Sequence, residues 1–532
     1  MSKFHGTLSR REFMKGLGIA GAGLGAASMV APAFNDLDAM VASKAGPLQK
    51  YPWYVKIRDQ YDFTAPHDWS RATRTDQRHT LQCSWQGTPE IDAWLDDRDG
   101  AGQAKKQQDE KAAYDKRGLQ DPKGWLGIRN VAFKTFMNKN SNEDTPYGFL
   151  PPKTTTPEQR GIAKWQGTPE ENSRMIKAAL NMWGACDVVF HELDDVTRNF
   201  IFTNDFHDGK PYVWEDVPVG YETGDTAATK SPRAGKRVLA NSAKWVINYS
   251  LQMSNDSIDN GLSDRRYGHG RTMQRQIQGM LAALGYQAYG PLDYTNNFSE
   301  NVAFAVLGGT SEILRSYISG SPIYGSSLGV AAGIVTDLPL EPTFPIDAGM
   351  RRFCFDCMKC AELCPGGAIS RNGGGPNAPI VREPSWEGIG PWNRWANRTA
   401  FDAKHPELGK VDNKNGYQGV NESGFYEHWW FSPADCNRSV GINMCGSFGC
   451  GTRCVFGRGT EAIIHEVVKG VLSSTSIFNG FFRDMDEVFG YPMYNYGIDG
   501  EGVPEQLERF WSLQTNTPIY GVDTTRGGQR GM

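Results

Sequence analysis

Eight of the chain's ten cysteines crowd between Cys354 and Cys454, and their spacing is the clearest chemical signal in the 532-residue sequence. Cys83 and Cys186 stand apart, and such clustering favours metal ligation over a disulfide framework. Cys354, Cys357, Cys360 and Cys364 follow a C-x2-C-x2-C-x3-C pattern with Pro365 directly after it. Loops this short wrap three thiolates around one iron–sulfur cubane and send the fourth to another. Buried thiols or disulfides, the plainer alternative, do not require that spacing.

Cys436, Cys445, Cys450 and Cys454 supply a second set of four, whose last pair keeps the bacterial ferredoxin interval. Two such sets imply two [4Fe-4S] clusters. If the crossing pattern of two-cluster ferredoxins holds, Cys354, Cys357, Cys360 and Cys454 bind one cluster, and Cys364, Cys436, Cys445 and Cys450 bind the other. The second set departs from the usual motif in two wider gaps and in Val455, where proline would stand. Wider loops could change which thiol closes that cluster. Ferredoxin modules move electrons and do no substrate chemistry, so the residues before Cys354 must carry any reaction.

Composition narrows what that reaction is. Fifty-six basic and 60 acidic side chains leave a formal charge of −4 with no long basic run, so nucleic acid is not an expected partner. A hydrophobic content of 39% is enough to bury real cores. Ser9-Arg10-Arg11-Glu12-Phe13-Met14-Lys15 leads into a weakly apolar stretch, Gly16 to Val30, and then Ala31-Pro32-Ala33. This reads as a twin-arginine signal cleaved before Phe34. That export route carries folded proteins, as a protein loaded with metal cofactors in the cytoplasm requires. No later stretch offers the roughly 18 to 20 consecutive apolar residues of a spanning helix, so membrane attachment is expected through a partner.

The elements that must position the chemistry lie between the signal and the cysteines. Residues 34–160 are polar and read as helices and loops. Trp85-Gln86-Gly87-Thr88-Pro89-Glu90 recurs as Trp165-Gln166-Gly167-Thr168-Pro169-Glu170, a reused helix start and not a duplicated domain. In the second copy Thr168 suits the N-cap and Pro169 the first helical position, while Glu170 and Glu171 favour the positive helix end. Met175, Ile176, Ala179, Leu180 and Trp183 then share one face. Val188-Val189-Phe190 predicts a short buried strand. Trp245, Ile247, Tyr249 and Leu251 alternate as a strand with one covered face. A second amphipathic helix is predicted over about 271–284, with Met273, Ile277, Met280, Leu281 and Leu284 inward and Gly285 as its C-cap. Interleaved strands and helices argue α/β. Thr336 to Pro345, with three prolines, predicts an extended connector, and a domain boundary is placed near Asp347.

Taken together, the signal, the long α/β region and the two cysteine motifs resemble the respiratory reductive dehalogenases. Besides the cysteines, the resemblance rests on Ser9 to Lys15, Leu284-Gly285-Tyr286, Thr336-Asp337-Leu338-Pro339-Leu340, Pro345-Ile346-Asp347-Ala348-Gly349 and Phe478-Asn479-Gly480-Phe481-Phe482. It implies an α/β (α+β) corrinoid-binding core like the nitroreductase-related cobalamin-processing fold, followed by a ferredoxin-like two-cluster module. The expected division is residues 1–33 signal, 34–160 N-terminal region, 161–346 core, 347–470 cluster module and 471–532 a segment packing back on the core. It also implies a base-off corrinoid. The Asp-x-His-x-x-Gly motif of other base-off corrinoid enzymes is missing, since Asp205-Phe206-His207-Asp208-Gly209 is one residue short.

Within the family a tyrosine opens the helix that ends in Gly-Tyr, and Tyr267 stands at the matching distance before Tyr286. It resembles the proton donor, with Arg315 as the cation that lowers the phenol pKa and steadies the phenolate. The family also has a polar residue after the Gly-Tyr turn, a place that Asn296 or Asn297 could fill, and Asn296 is taken for it. The plainer readings are a packed aromatic for Tyr267 and a surface ion pair with Glu312 for Arg315. The resemblance further implies a small organohalide substrate, chlorinated alkene or alkane, a small integral-membrane anchor protein, a respiratory electron donor, and residence on the outer face of the cytoplasmic membrane. The competing readings are an exported, non-catalytic iron–sulfur carrier and an enzyme like epoxyqueuosine reductase. One corrinoid per chain distinguishes an enzyme from the carrier. The export signal and the lack of a basic surface weigh against a tRNA-acting enzyme.

Overall fold

The computed structural model describes residues 48–72, 74–76, 100–118, 148–205, 208–224, 234–253, 265–291, 298–316, 319–326, 328–364, 454–457 and 463–488, with isolated positions elsewhere that include Trp429 and Cys450. The proposed signal and the first Trp-Gln-Gly-Thr-Pro-Glu copy lie outside the described residues.

Ahead of the core come a short strand β1 (Lys56–Ile57) and a polar helix α1 (Gln103–Gly118). Helix α2 (Pro169–Trp183) then starts as its sequence dictates. The Thr168 hydroxyl accepts from the Glu171 amide and the Glu171 carboxylate accepts from the Thr168 amide, a reciprocal capping box behind Pro169. Left-handed Gly184 ends the helix. Strand β2 (Asp187–Glu192) follows, then a small lateral sheet of β3 (Tyr212–Glu215), β4 (Tyr221–Glu222) and β5 (Arg237–Ala240) in the order β3-β5-β4. Strand β6 (Trp245–Gln252) leads to the long helix α3 (Arg265–Leu284), closed by Gly285 at φ 92°. After it come β7 (Ala288–Tyr289), helix α4 (Asn301–Gly308), the hairpin β8 (Glu312–Ile313) and β9 (Ser319–Gly320), and β10 (Leu328–Thr336).

The main sheet has the order β2-β6-β10-β7 and is antiparallel throughout, so the interleaved strands and helices build an α+β core. Helices α2 and α3 cover one face: Ile176, Leu180, Met273, Ile277 and Leu281 pack on Val188, Phe190, Ile247, Tyr249 and Leu251. Each such fully buried aliphatic side chain contributes about 2 kcal/mol relative to exposure.

Strand β6 corrects the alternation reading. All of Val246 to Gln252 is buried, so both faces are covered. Helix α4 covers the second face, with Phe304, Val306 and Leu307 packed in one cluster with Val246 and Val335. Polar Asn248, Ser250 and Gln252 occupy this buried side and mimic a solvent face in the sequence. In β10 the register shifts between Val330 and Gly333, and the Gly333 amide donates to Asn301 Oδ1 at 2.9 Å, which satisfies the irregularity.

Of the connector expected over Thr336 to Pro345, Thr336 closes β10 and residues 337–345 carry no strand or helix; β11 (Ile346–Asp347) then pairs antiparallel with β1. Beyond it come helices α5 (Met350–Cys357), α6 (Lys359–Glu362), α7 (Ile463–Ser474) and α8 (Asn479–Val488). The division expected at residue 470 falls inside α7. Leu472 of α7 and Phe482 of α8 pack with Phe353 and Cys357 of α5, so residues 463–488 join the cysteine region. The apolar faces of these two helices, and not distance along the chain, decide where they dock.

Candidate functional site

The core delivers the segment Glu312–Arg315 to the cysteine helix. Glu312 Oε2 accepts from the amides of Ala348 and Met350, at 2.9 and 3.2 Å, at the opening of α5. A carboxylate there satisfies orphan amides and suits the positive helix end. Burial, and then neighbouring Asp347, push the Glu312 pKa up. Three residues on, Arg315 donates from Nε to the Cys354 carbonyl at 2.9 Å and from Nη2 to the Phe355 carbonyl at 3.3 Å. Both side chains are buried, so the surface ion pair is not what the structure holds. One short segment thus grips the cysteine helix at both ends.

The helix breaks where the motif demands. Met358, at φ 50°, terminates α5 and starts α6, an uncommon conformation for a bulky residue. Cys354 and Cys357 therefore lie on one helix and Cys360 on the next. Cys354, Cys357 and Cys454 pack in one cluster with Leu314, Phe353, Val455 and Phe456. Gly325, at φ 59°, lets the core touch the chain just after Cys454: a Cβ there would lie 2.1 Å from the Gly457 nitrogen. Only glycine permits that approach.

Burial pushes the Cys354 and Cys360 thiols well above their ordinary range. Mutual repulsion adds to this, from Cys454 and Cys357 on Cys354 and from Cys354, Cys357 and Cys450 on Cys360, whereas Arg315 opposes it at both. These thiols stay protonated unless something pays for the charge, which thiolate-binding iron does. Among the described residues no three His, Cys, Asp or Glu side chains converge on one point as a single ion would require. Cubane ligands sit at separate corners of a cluster and need no such convergence.

Tyr267 is the third residue of α3. That turn is tied to the sheet by Tyr249, whose hydroxyl donates to the Gly270 carbonyl at 2.6 Å. Helix α3 follows the end of β6, and the β8–β9 hairpin carrying Arg315 precedes the start of β10, where Leu328 pairs with Gln252. The topology therefore brings Tyr267 and Arg315 to the same end of the sheet. The Tyr267 side chain, Asn296, Cys436 and Cys445 lie outside the described residues. Cys364 follows α6 and is partly buried, as is Cys450.

Sequence reasoning missed Arg351 and Trp429. Both are buried, and the Arg315 and Arg351 guanidinium carbons lie 4.9 and 4.7 Å from the Trp429 ring centroid. Arg351 was discoverable, standing three residues before Cys354 on one helix face. Trp429 carries no such local signal. Asp205 and Asp208, from the one-residue-short motif, are structural: Arg237 binds Asp208 through two contacts of 2.9 and 2.6 Å, and Tyr212 donates to Asp205 at 2.7 Å.

The α+β core is thus locked onto a helix that carries two of the motif cysteines. Residues 124–340 match the family model described as reductive dehalogenase subunit. The chloroethene reductive dehalogenase of Dehalococcoides mccartyi (strain VS) is 27% identical over 98% of this chain and 99% of its own length. The trichloroethene reductive dehalogenase of Dehalococcoides mccartyi (strain ATCC BAA-2266 / KCTC 15142 / 195) is 26% identical over 93% of this chain and 96% of its own. In fold, a solved catabolic reductive dehalogenase superposes with a TM-score of 0.50 at 17% identity, over 84% of this chain and 50% of that one, so this chain spans half of that protein. The likeness is to reductive dehalogenases: residues 124–340 match their family model, and the similarity to named members runs along nearly the whole chain.

Proposed function

We propose that this chain is an exported, corrinoid-dependent reductive dehalogenase that removes halogen from a small chlorinated alkene or alkane as the terminal step of organohalide respiration. The observation that carries the reading is the clamp of Glu312 and Arg315, which joins the dehalogenase domain directly to the cysteine helix. The names of the relatives, chloroethene and trichloroethene reductive dehalogenase, support the substrate class.

The residues suit both cofactors. Cys354, Cys357, Cys360 and Cys454 would hold one [4Fe-4S] cluster and Cys364, Cys436, Cys445 and Cys450 the second, in a ferredoxin-like module. For the corrinoid, whose rim carries amide groups, the core offers buried polar atoms with no hydrogen-bond partner among the described residues: Asn248 Oδ1 and Ser250 Oγ on β6, and Thr310 Oγ1 and Ser311 Oγ after α4. Leaving them unmet would cost about 1–3 kcal/mol each, so a polar ligand is expected there. When bound, the corrinoid supplies a cobalt centre whose reduced form is a strong nucleophile and reductant toward a carbon–halogen bond.

Tyr267 donates the phenolic proton that quenches the carbon left after halide departure, and the buried charge of Arg315 steadies the phenolate. Asn296 orients the substrate. The site excludes water, since substrate brings almost no hydrogen bonds and water would divert the electrons. Export by the twin-arginine machinery places the enzyme on the outer face of the cytoplasmic membrane. There a small integral-membrane protein anchors it and a respiratory donor reduces it. No helix among the described residues is long and apolar enough to cross a membrane itself.

Cobalt and iron analysis of the purified holoprotein tests the cofactors: one corrinoid and two clusters per chain are expected, and clusters without cobalt would overturn the enzyme reading. Tyr267→Phe is expected to lose about 10²- to 10⁴-fold in turnover with both cofactor spectra intact. Unchanged turnover removes Tyr267 from the mechanism.

A further inference from the structure

Residues 53–65 touch, one after another, the segments that open or flank α5. Strand β1 pairs Lys56 with Asp347 and Ile57 with Ile346, and the Arg58 amide donates to the Pro345 carbonyl at 2.8 Å. This pairing brings Asp347 to the opening of α5, where its carboxylate lies 3.6 Å from Arg58 and 2.8 Å from Arg352 of the helix. The Tyr54 hydroxyl donates to the Pro322 carbonyl at 3.1 Å. Pro322 belongs to the tight turn in which Ser321 and Gly325 exchange amide hydrogen bonds of 2.9 and 2.7 Å, and Gly325 is the residue that meets Gly457. Finally, the Thr64 hydroxyl donates to Glu312 Oε1 at 2.8 Å.

The last contact completes the grip on α5. Glu312 gives its other oxygen, Oε2, to the Ala348 and Met350 amides, and among the described residues Thr64 is the donor to Oε1. A carboxylate buried this deeply needs donors on both oxygens. Without the Thr64 hydroxyl, Glu312 is drawn toward any other donor, and its hold on the helix opening loosens. Arg315, three residues on, then loses its fixed approach to the Cys354 and Phe355 carbonyls. Thr64 is itself anchored, since Phe63 and Ala65 are buried in one cluster with Ile313. At the other end of the segment Trp53 lies over α7: a Cβ at Gly470 would sit 2.5 Å from its ring.

We infer that residues 53–65 brace the cysteine helix against the α+β core, with Thr64 and Tyr54 as positioning residues for electron transfer from the cluster on Cys354 into the core. Thr64 acts through Glu312, and Tyr54 through the turn at Pro322. The inference rests on the cofactor assignment proposed above. Transfer between two buried centres depends steeply on their separation, and groups outside the ligand sphere fix that separation through the hydrogen bonds they lend. Tyr61 supplies the contrast within the same stretch of chain, because its hydroxyl donates to Asp194 at 2.6 Å, on the loop after β2.

The test joins hydrogen–deuterium exchange to rapid mixing of the holoprotein with a reductant. In Thr64→Val the Ala348 and Met350 amides are expected to exchange several-fold faster. Corrinoid reduction should slow several-fold, while iron and cobalt content, both cluster potentials and the denaturation midpoint stay near those of the parent. Thr64→Ser should restore both rates. Tyr54→Phe should speed exchange at the Ser321 and Gly325 amides and slow corrinoid reduction, and it supplies the measurement if Thr64→Val does not fold. Tyr61→Phe should move neither rate. Unchanged exchange at Ala348 and Met350 in Thr64→Val overturns the inference, as does faster exchange with corrinoid reduction unslowed, or equal slowing in Tyr61→Phe. A parent protein without cobalt defeats the enzyme reading and the transfer role together, whereas full cofactor content with unmoved rates defeats this inference alone.

Discussion

Two buried charged groups in this molecule use similar residues for opposite ends. Beneath the lateral sheet, Arg237 is paired with Asp208 at 2.6 Å and Glu222 at 3.1 Å, and Lys210 with Glu222 at 2.8 Å. Burial works against the Arg237 charge, but Tyr212, Asp208, Asp205 and Glu222 together raise its pKa. Beside the cysteine helix, Arg315 donates to main-chain carbonyls, and both Arg315 and Arg351 stand over the Trp429 indole. Burial lowers the Arg315 pKa, and the thiols oppose that. Carboxylates that meet guanidiniums directly spend their field on the fold, whereas Arg315 has its charge set among thiols at the cysteine helix.

Variants can break that contrast. The largest effect is expected for Cys357→Ser, which should abolish dehalogenation and remove roughly half of the protein-bound iron, given two clusters on eight thiolates. Far-ultraviolet circular dichroism should show the α+β core still folded; a chain that unfolds outright would show that the cysteine corner carries the fold as well. Arg237→Met should do the reverse. It strands Asp205 and Asp208 in the interior and is expected to cost about 3–5 kcal/mol in chemical denaturation, while the cluster spectra of the folded fraction stay unchanged.

Smaller effects sharpen the comparison. Burial depresses the His191 pKa from 6.5 to about 4, so this imidazole is neutral when folded. The unfolded chain binds its proton first, so the contribution is complete above pH 6.5 and is lost as pH falls toward 4, up to about 3 kcal/mol. His191→Phe should flatten the denaturation midpoint across that window without touching the potentials. Thr168→Ala, which opens the capping box of α2, should cost about 1 kcal/mol and leave turnover unchanged.

Much of the frame was legible because local rules agreed with the tertiary solution. Thr168, Pro169 and Glu171 mark the start of α2, and Gly184 and Gly285 close α2 and α3 in the left-handed conformation that glycine accepts most readily. Strand β6 was half read, since Asn248 and Ser250 look like a wet face until α4 covers them. Arg315 was picked out by resemblance, yet its grip on the Cys354 and Phe355 carbonyls joins residues about forty positions apart, and no periodicity records that.

By itself the sequence determined the thiol spacing, the helix caps and the strand and helix periods, because each depends on neighbours within a turn or two of chain. Only the tertiary structure decided that Glu312 caps the cysteine helix, that Gly325 meets Gly457, and that Trp429 collects two arginines. Those contacts pair side chains from distant segments, and whether a buried charge serves the fold or a cofactor depends on which partner the folded chain sets opposite it.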